Sequence, residues 1–139
     1  MNLRIANIRF GFTMLFISAA VGGMALGGTF NDYSVNEGNH VLGLARFYLR
    51  EGHSHGNFMC FFNLFVGIIL NHLTLTEKWK KICSYTAMGS IILPLGLMIK
   101  GAMGAAEEVF PIGLIGILCI AISLIILIIG AFKTKMVKA

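Results

Sequence analysis

Two imidazoles stand two residues apart in the run Arg50-Glu51-Gly52-His53-Ser54-His55-Gly56-Asn57, directly ahead of the apolar Phe58-Met59-Cys60-Phe61-Phe62. Imidazole is the commonest protein ligand for transition metals and a frequent axial ligand for haem iron. In a helix, residues four apart share a face, so Arg50, His53 and Asn57 line one side and Glu51, His55 and Met59 another. His53 and His55 then point in nearly opposite directions and chelate one metal only if the backbone is extended. As helical residues they suit two neighbours, a ligand on one side and a partner helix or subunit on the other. The competing reading is a pair of half-solvated histidines at the headgroup level of a membrane. Asn57 and the deeper Asn63 weigh against it, because a polar side chain at membrane depth costs roughly 1–3 kcal/mol unless it is paired or used. Asn63 alone also reads as glue between helices.

Around this cluster stand groups able to hold an anion. Arg46, Arg50 and Lys100 could bind haem propionates, lipid phosphates or a substrate carboxylate, since the guanidinium fork matches carboxylate geometry. Lys100 is equally able to pair with Glu107 or Glu108 across a short turn. His40 is a second imidazole with nothing local to support a role, and His72 with Asn71 reads as a helix end at an interface. Met24, Met88, Met98 and Met103 read as packing. No Ser/His/Asp or Cys/His arrangement with a nucleophile elbow, no Gly-rich phosphate loop and no H-E-x-x-H motif occurs, which sets aside hydrolases and nucleotide-driven machines.

The elements that must position these residues are membrane helices. A chain of 139 residues that is 57% hydrophobic and 12% charged, with mean hydropathy +0.83, is wrong for a soluble domain. A crossing helix needs about 20 mostly apolar residues, and four stretches qualify, at about 10–28, 56–74, 82–103 and 109–132. The first could also be a cleaved signal peptide. Its length and the small residues Gly22, Ala25 and Gly28 at helix-packing spacing favour an uncleaved helix. Between the first two spans lies an outer loop, 29–55, whose later part repeats Val41, Leu44 and Tyr48 opposite Arg46 and Arg50. That pattern predicts an interfacial helix, capped by Asn39, running into helix two. Pro94 should kink helix three, and Pro111 falls in the first turn of helix four, where proline is tolerated. Cys60, Cys83 and Cys119 have neither disulfide nor zinc spacing and read as packing residues.

Lys and Arg are retained on the cytoplasmic side of a membrane. Eight bases (Arg4, Arg9, Lys78, Lys80, Lys81, Lys133, Lys135 and Lys138) fall in the terminal and helix two to three segments, against three (Arg46, Arg50 and Lys100) in the others. The fold class expected is therefore all-α, an integral four-helix bundle crossing four times in the cell's cytoplasmic membrane with both termini cytoplasmic. The net charge of +5 is spread over three short clusters beside apolar runs, so nucleic acid is not a partner.

The layout resembles the small four-helix membrane proteins of the styrene-oxide isomerase and hydroxylaminobenzene mutase type. The resemblance covers roughly 9–101 and rests on Phe10-Gly11-Phe12-Thr13-Met14-Leu15-Phe16 opening helix one, a longer outer loop, Ala45-Arg46 and Arg50 leading to His53-Ser54, and Thr76-Glu77-Lys78 before helix three. It implies a trimer with ferric haem b between subunits, held by the histidine matching His53 and acting as a Lewis acid on an epoxide oxygen without net redox. The chain departs from that pattern at Met59, where an asparagine is expected, and at Met98, where an ungapped pairing places a catalytic tyrosine.

The expectation is a haem b protein with His53 on the iron, His55 as alternate ligand, Arg46 or Arg50 near the propionates, and Asn57 and Met59 beside the group. A Met59 thioether could reach iron only on a haem held by another subunit, because two ligands six residues apart on one helix do not face each other across one macrocycle. The chemistry expected is isomerase-like, on a small apolar substrate, in a homo-oligomer. The alternatives are a non-catalytic or electron-transfer subunit of a larger respiratory-type complex and, third, a small metal-ion carrier using His53, His55 and Glu51.

Overall fold

The computed structural model of the chain describes residues 3–28, 40–105 and 112–134, with backbone alone for 40–42. The described residues form helices and short turns, with no strand. Four rods result: α1 (Leu3–Gly28), α2 (His40–Ile69, closed by a 3₁₀ turn Leu70–His72), α3 (Glu77–Ala102) and α4 (Gly113–Lys133). Length and composition make α1, α3 and α4 able to cross a membrane. The 30 residues of α2 extend about 45 Å at the helical rise, but His53, His55, Asn57 and Asn63 lower its apolarity.

Two boundaries differ from the sequence reading. α1 starts at Leu3 rather than near Phe10, and its Ile17–Gly22 segment is wound as a π-helix. The expected 29–55 loop is helical from His40, so the interfacial segment and the expected second span form one rod. No proline interrupts it, and Gly52 and Gly56 are contact points rather than breaks. A methyl group on Gly52 would lie 3.0 Å from the Pro94 carbonyl oxygen, and one on Gly56 would lie 2.6 Å from Ser18 Oγ. The Asn39 cap and Pro111 lie outside the described residues.

The Pro94 expectation holds with a shift in place. Regular winding of α3 stops at Gly89 and resumes at Ile92. Proline has no N–H for the Ser90 carbonyl four residues back, and that carbonyl accepts instead from Leu93 N at 3.1 Å.

Small residues let the rods approach. Methyl groups on Gly11 and Gly67 would each lie 3.0 Å from a backbone oxygen, of Cys60 and Arg4 respectively, across the α1–α2 contact. One on Gly101 would lie 2.8 Å from Ala45 O, across α2–α3. At Gly116 it would run into the Leu93 backbone, so α4 packs against α3 where the winding resumes. Close backbone approach at small residues is how helices associate in lipid, where apolar side chains gain nothing by leaving the hydrocarbon.

Polar side chains bind all four rods together. Asn63 Nδ2 donates to Met59 O and Ala87 O, each at 2.9 Å, and its Oδ1 accepts from Asn7 Nδ2 at 3.1 Å. Ser84 Oγ donates to Asn7 Oδ1. Ser123 Oγ on α4 donates to Cys83 O at 3.1 Å and lies 2.7 Å from Thr86 Oγ1. Asn7, Asn63, Ser84 and Ser123 are fully buried, beside an apolar core built on Val66, Leu70, Cys83, Ala87 and Ile126. Asn63 is interhelical glue.

Candidate functional site

The first half of α2 brings His53 against the π-wound turn of α1. His53 Nδ1 lies 2.9 Å from the Ser18 carbonyl oxygen. A carbonyl only accepts, so Nδ1 carries the proton and Nε2 of the neutral ring keeps its lone pair. Ser18 Oγ donates back to His53 O at 3.4 Å. The ring fits because position 22 is glycine: a methyl group there would lie 2.7 Å from Nδ1. Asn57, one turn on, places Nδ2 3.4 Å from Nε2, while its buried Oδ1 has no hydrogen-bond partner.

Beside this pair an apolar cavity of about 110 Å³ opens between Ile17 and Val21 of α1, Gly56 of α2, and Pro94, Leu95 and Met98 of α3. Ser18 and Gly22, which seat His53, also form part of its wall. The π segment, the glycine of α2 and the proline-broken stretch of α3 thus meet at one place. Met98 packs onto Gly52 as well as lining the cavity.

The other expected residues distribute differently. His55 turns away from His53: its Nδ1 lies 2.8 Å from Glu51 O and 3.7 Å from Glu51 Oε2, with the side chain 43% exposed. Met59 does not join it, being buried on the interior side of α2. Arg50 leaves the His53 side, standing 3.7 Å from Glu51 and over the Phe47 ring at 5.8 Å. Arg46 Nη2 donates to Leu26 O at 3.3 Å, a cation on the carbonyl end of α1 where the helix dipole favours it. Lys100 lies over the Tyr48 ring at 5.0 Å. Its expected partners Glu107 and Glu108, and the His40 side chain, lie outside the described residues. Asn71 and His72 are exposed at the far end of α2. Among the described residues no three His, Cys, Asp or Glu side chains gather closely enough to hold a metal ion.

Ser18 went unread in the sequence because it acts through its backbone carbonyl, and Gly22, legible there as a helix-packing residue, seats the imidazole by lacking a side chain. The run Ile17-Ser18-Ala19-Ala20 carries no visible sign of π winding. No protein-family model, no curated protein and no solved structure matches the chain.

Proposed function

We propose that the chain is a multi-pass protein of the cytoplasmic membrane, with both termini cytoplasmic and α2 as the fourth crossing, that holds haem b on Nε2 of His53. The observation that carries this reading is the 2.9 Å contact from His53 Nδ1 to Ser18 O. A ligating histidine is normally oriented by donating its other ring N–H to a carbonyl or carboxylate, which fixes the tautomer and raises the basicity of the free nitrogen. Asn57, with Nδ2 3.4 Å from Nε2 and Oδ1 buried without a hydrogen-bond partner, is the polar side chain next to that position.

The space beside His53 fits the group only outside the single chain. A cavity of about 110 Å³ takes no macrocycle. The outward face of α2, with Phe58 62%, Phe61 58% and Phe65 51% exposed, is broad and apolar. At 3.6 residues per turn that face lies between His53 and His55, on the wider side of α2, an arc of about 200°. A haem on it would be covered by a second copy of the chain, in keeping with the trimer that the resemblance implies. Arg46 and Arg50 lie on the same rod toward His40 and are the side chains for the propionates.

Bound haem would supply a Lewis-acidic ferric iron for an isomerisation of a small apolar substrate. His53 would hold the iron through Nε2, with Asn57 a polar neighbour on the same side of the ring. The second reading, a subunit of a larger respiratory-type membrane complex, rests on the same exposed Phe58, Phe61 and Phe65, which fit a partner helix as well as a copy of this chain.

Oxidised and reduced absorption spectra of protein purified in mild detergent separate the two. Wild type and His55→Ala should show a Soret band that His53→Ala loses. A colourless wild type would replace the haem reading with the subunit reading.

A further inference from the structure

At the end of the bundle opposite His53, the turn between α2 and α3 and the last turns of α4 enclose a second cavity of about 200 Å³. Its wall is mixed: Thr74, Thr76 and Lys133 are its polar residues, Trp79 of α3 lies beside them, and Ile126 and Ile129 make an apolar side along α4. The rim is firmly built. Thr74 N donates to Thr134 Oγ1 at 2.8 Å, and that hydroxyl donates to Gly130 O at 2.8 Å, which ties the turn to the end of α4. Thr76 caps α3 by accepting from Trp79 N at 3.5 Å.

The charge here is one-sided. Lys78, Lys80, Lys81 and Lys133 lie at this end, and the acidic partner among the described residues is Glu77, already 3.0 Å from Lys80 Nζ. Trp79 is 46% exposed, as an indole anchored at headgroup level would be. A hydroxyl and ammonium mouth over an apolar groove is complementary to a molecule with an anionic head and a hydrocarbon tail. Basic pockets between membrane helices are where such headgroups are held.

We infer that this cavity binds one anionic glycerophospholipid, its phosphodiester between Lys133 Nζ and the Thr74 and Thr76 hydroxyls and an acyl chain along Ile126 and Ile129. The site is independent of the haem reading. The lipid fastens the α2–α3 turn to α4 from outside, beside the Thr74–Thr134 bond that does so from within.

The test is native mass spectrometry of the detergent-purified chain with added dioleoylphosphatidylglycerol or dioleoylphosphatidylcholine, on wild type, Lys133→Gln, Lys133→Arg and Lys100→Gln. One phosphatidylglycerol should stay bound to wild type, Lys133→Arg and Lys100→Gln under activation that strips phosphatidylcholine. Lys133→Gln should weaken it about fivefold, the scale of one lysine near an anionic headgroup. Equal retention of the two lipids, retention unchanged in Lys133→Gln, or an equal loss in Lys100→Gln would overturn the site. Displacement of the lipid by millimolar inorganic phosphate would assign it to a free anion. Retention by Lys133→Arg separates a lost charge from a misfolded variant.

Discussion

His53 Nδ1 donates to the backbone carbonyl of Ser18 across 2.9 Å, so the imidazole on α2 is oriented by a turn of α1 as well as by Asn57 on its own helix. The bond exists because α1 is wound wide at Ile17–Gly22 and presents Gly22 to the ring. The proposed iron ligand therefore depends on how closely α1 and α2 pack.

Gly22→Ala should break this arrangement without touching His53. The added methyl would lie 2.7 Å from Nδ1, and either the ring or α1 must move, at a cost of about 1–3 kcal/mol, typical of overpacking. The expected result is loss of the Soret band together with a lower melting temperature. Gly27→Ala, where nothing stands within 4 Å, should leave both unchanged. Full haem content in Gly22→Ala would show that the ring's seat against α1 is irrelevant to the cofactor.

The buried amides predict a coupling. Asn7 and Asn63 exchange a 3.1 Å bond, and Asn63 also holds Met59 O and Ala87 O. Hydrogen bonds between membrane helices contribute about 0.6 kcal/mol on average, with the best near 1.7. A double-mutant cycle of Asn7→Ala and Asn63→Ala, read by unfolding in detergent and denaturant, should give a coupling of about 0.6–1.7 kcal/mol. Strict additivity would mean that each amide acts through the backbone alone.

What was legible follows the physics of each signal. Apolar length gave α3 and α4 closely, and the cost of burying an amide marked Asn63 as interhelical before any contact was known. Asn7 escaped because Arg4, three residues before it, and Arg9, two after it, pushed the start of the apolar run to Phe10, although bases at those offsets leave one face of α1 free to be buried. The break in α3 was readable from Pro94, but the carbonyl that loses its partner belongs to Ser90, one turn earlier. The pairing of His55 with Met59 by helical spacing failed because Met59 lies on the interior side of α2 and His55 at its surface. Spacing states which residues share a stripe and not how wide the buried stripe is. Ser18 had no signal, since its backbone carbonyl makes the bond, and Gly22 was legible as a small packing residue but not as the seat of an imidazole.

Gly116 tests the α3–α4 contact. A methyl group there would collide with the backbone of Leu93, which cannot rotate away as a side chain can. Gly116→Ala should cost about 1–3 kcal/mol or more in detergent unfolding, by forcing the rods apart. Gly43→Ala on α2 meets nothing within 4 Å and should be neutral or stabilising by up to about 1 kcal/mol, the helix-propensity gain of alanine over glycine. If both substitutions behaved alike, close approach at Gly116 would not be holding α4.

The two ends of the bundle differ in charge, and this predicts its orientation. A methyl group on Gly67 would lie 3.0 Å from Arg4 O, and one on Gly130 would lie 3.0 Å from Leu73 and Leu75, so the start of α1, the end of α2 and the end of α4 share one end. That end carries Arg4, Arg9, Lys78, Lys80, Lys81 and Lys133, while Arg46, Arg50 and Lys100 gather at the other, where Gly101 meets Ala45. Retention of bases in the cytoplasm then predicts that the lysine-rich end faces inward. A green fluorescent protein fused after Ala139 should fluoresce, because it folds in the cytoplasm. A cysteine introduced at Asn36 should react with a membrane-impermeant maleimide in intact cells. Cys60 and Cys83 are fully buried and should stay silent in that assay. A dark fusion with an unreactive Asn36→Cys would invert the bundle and place His53 at the cytoplasmic end.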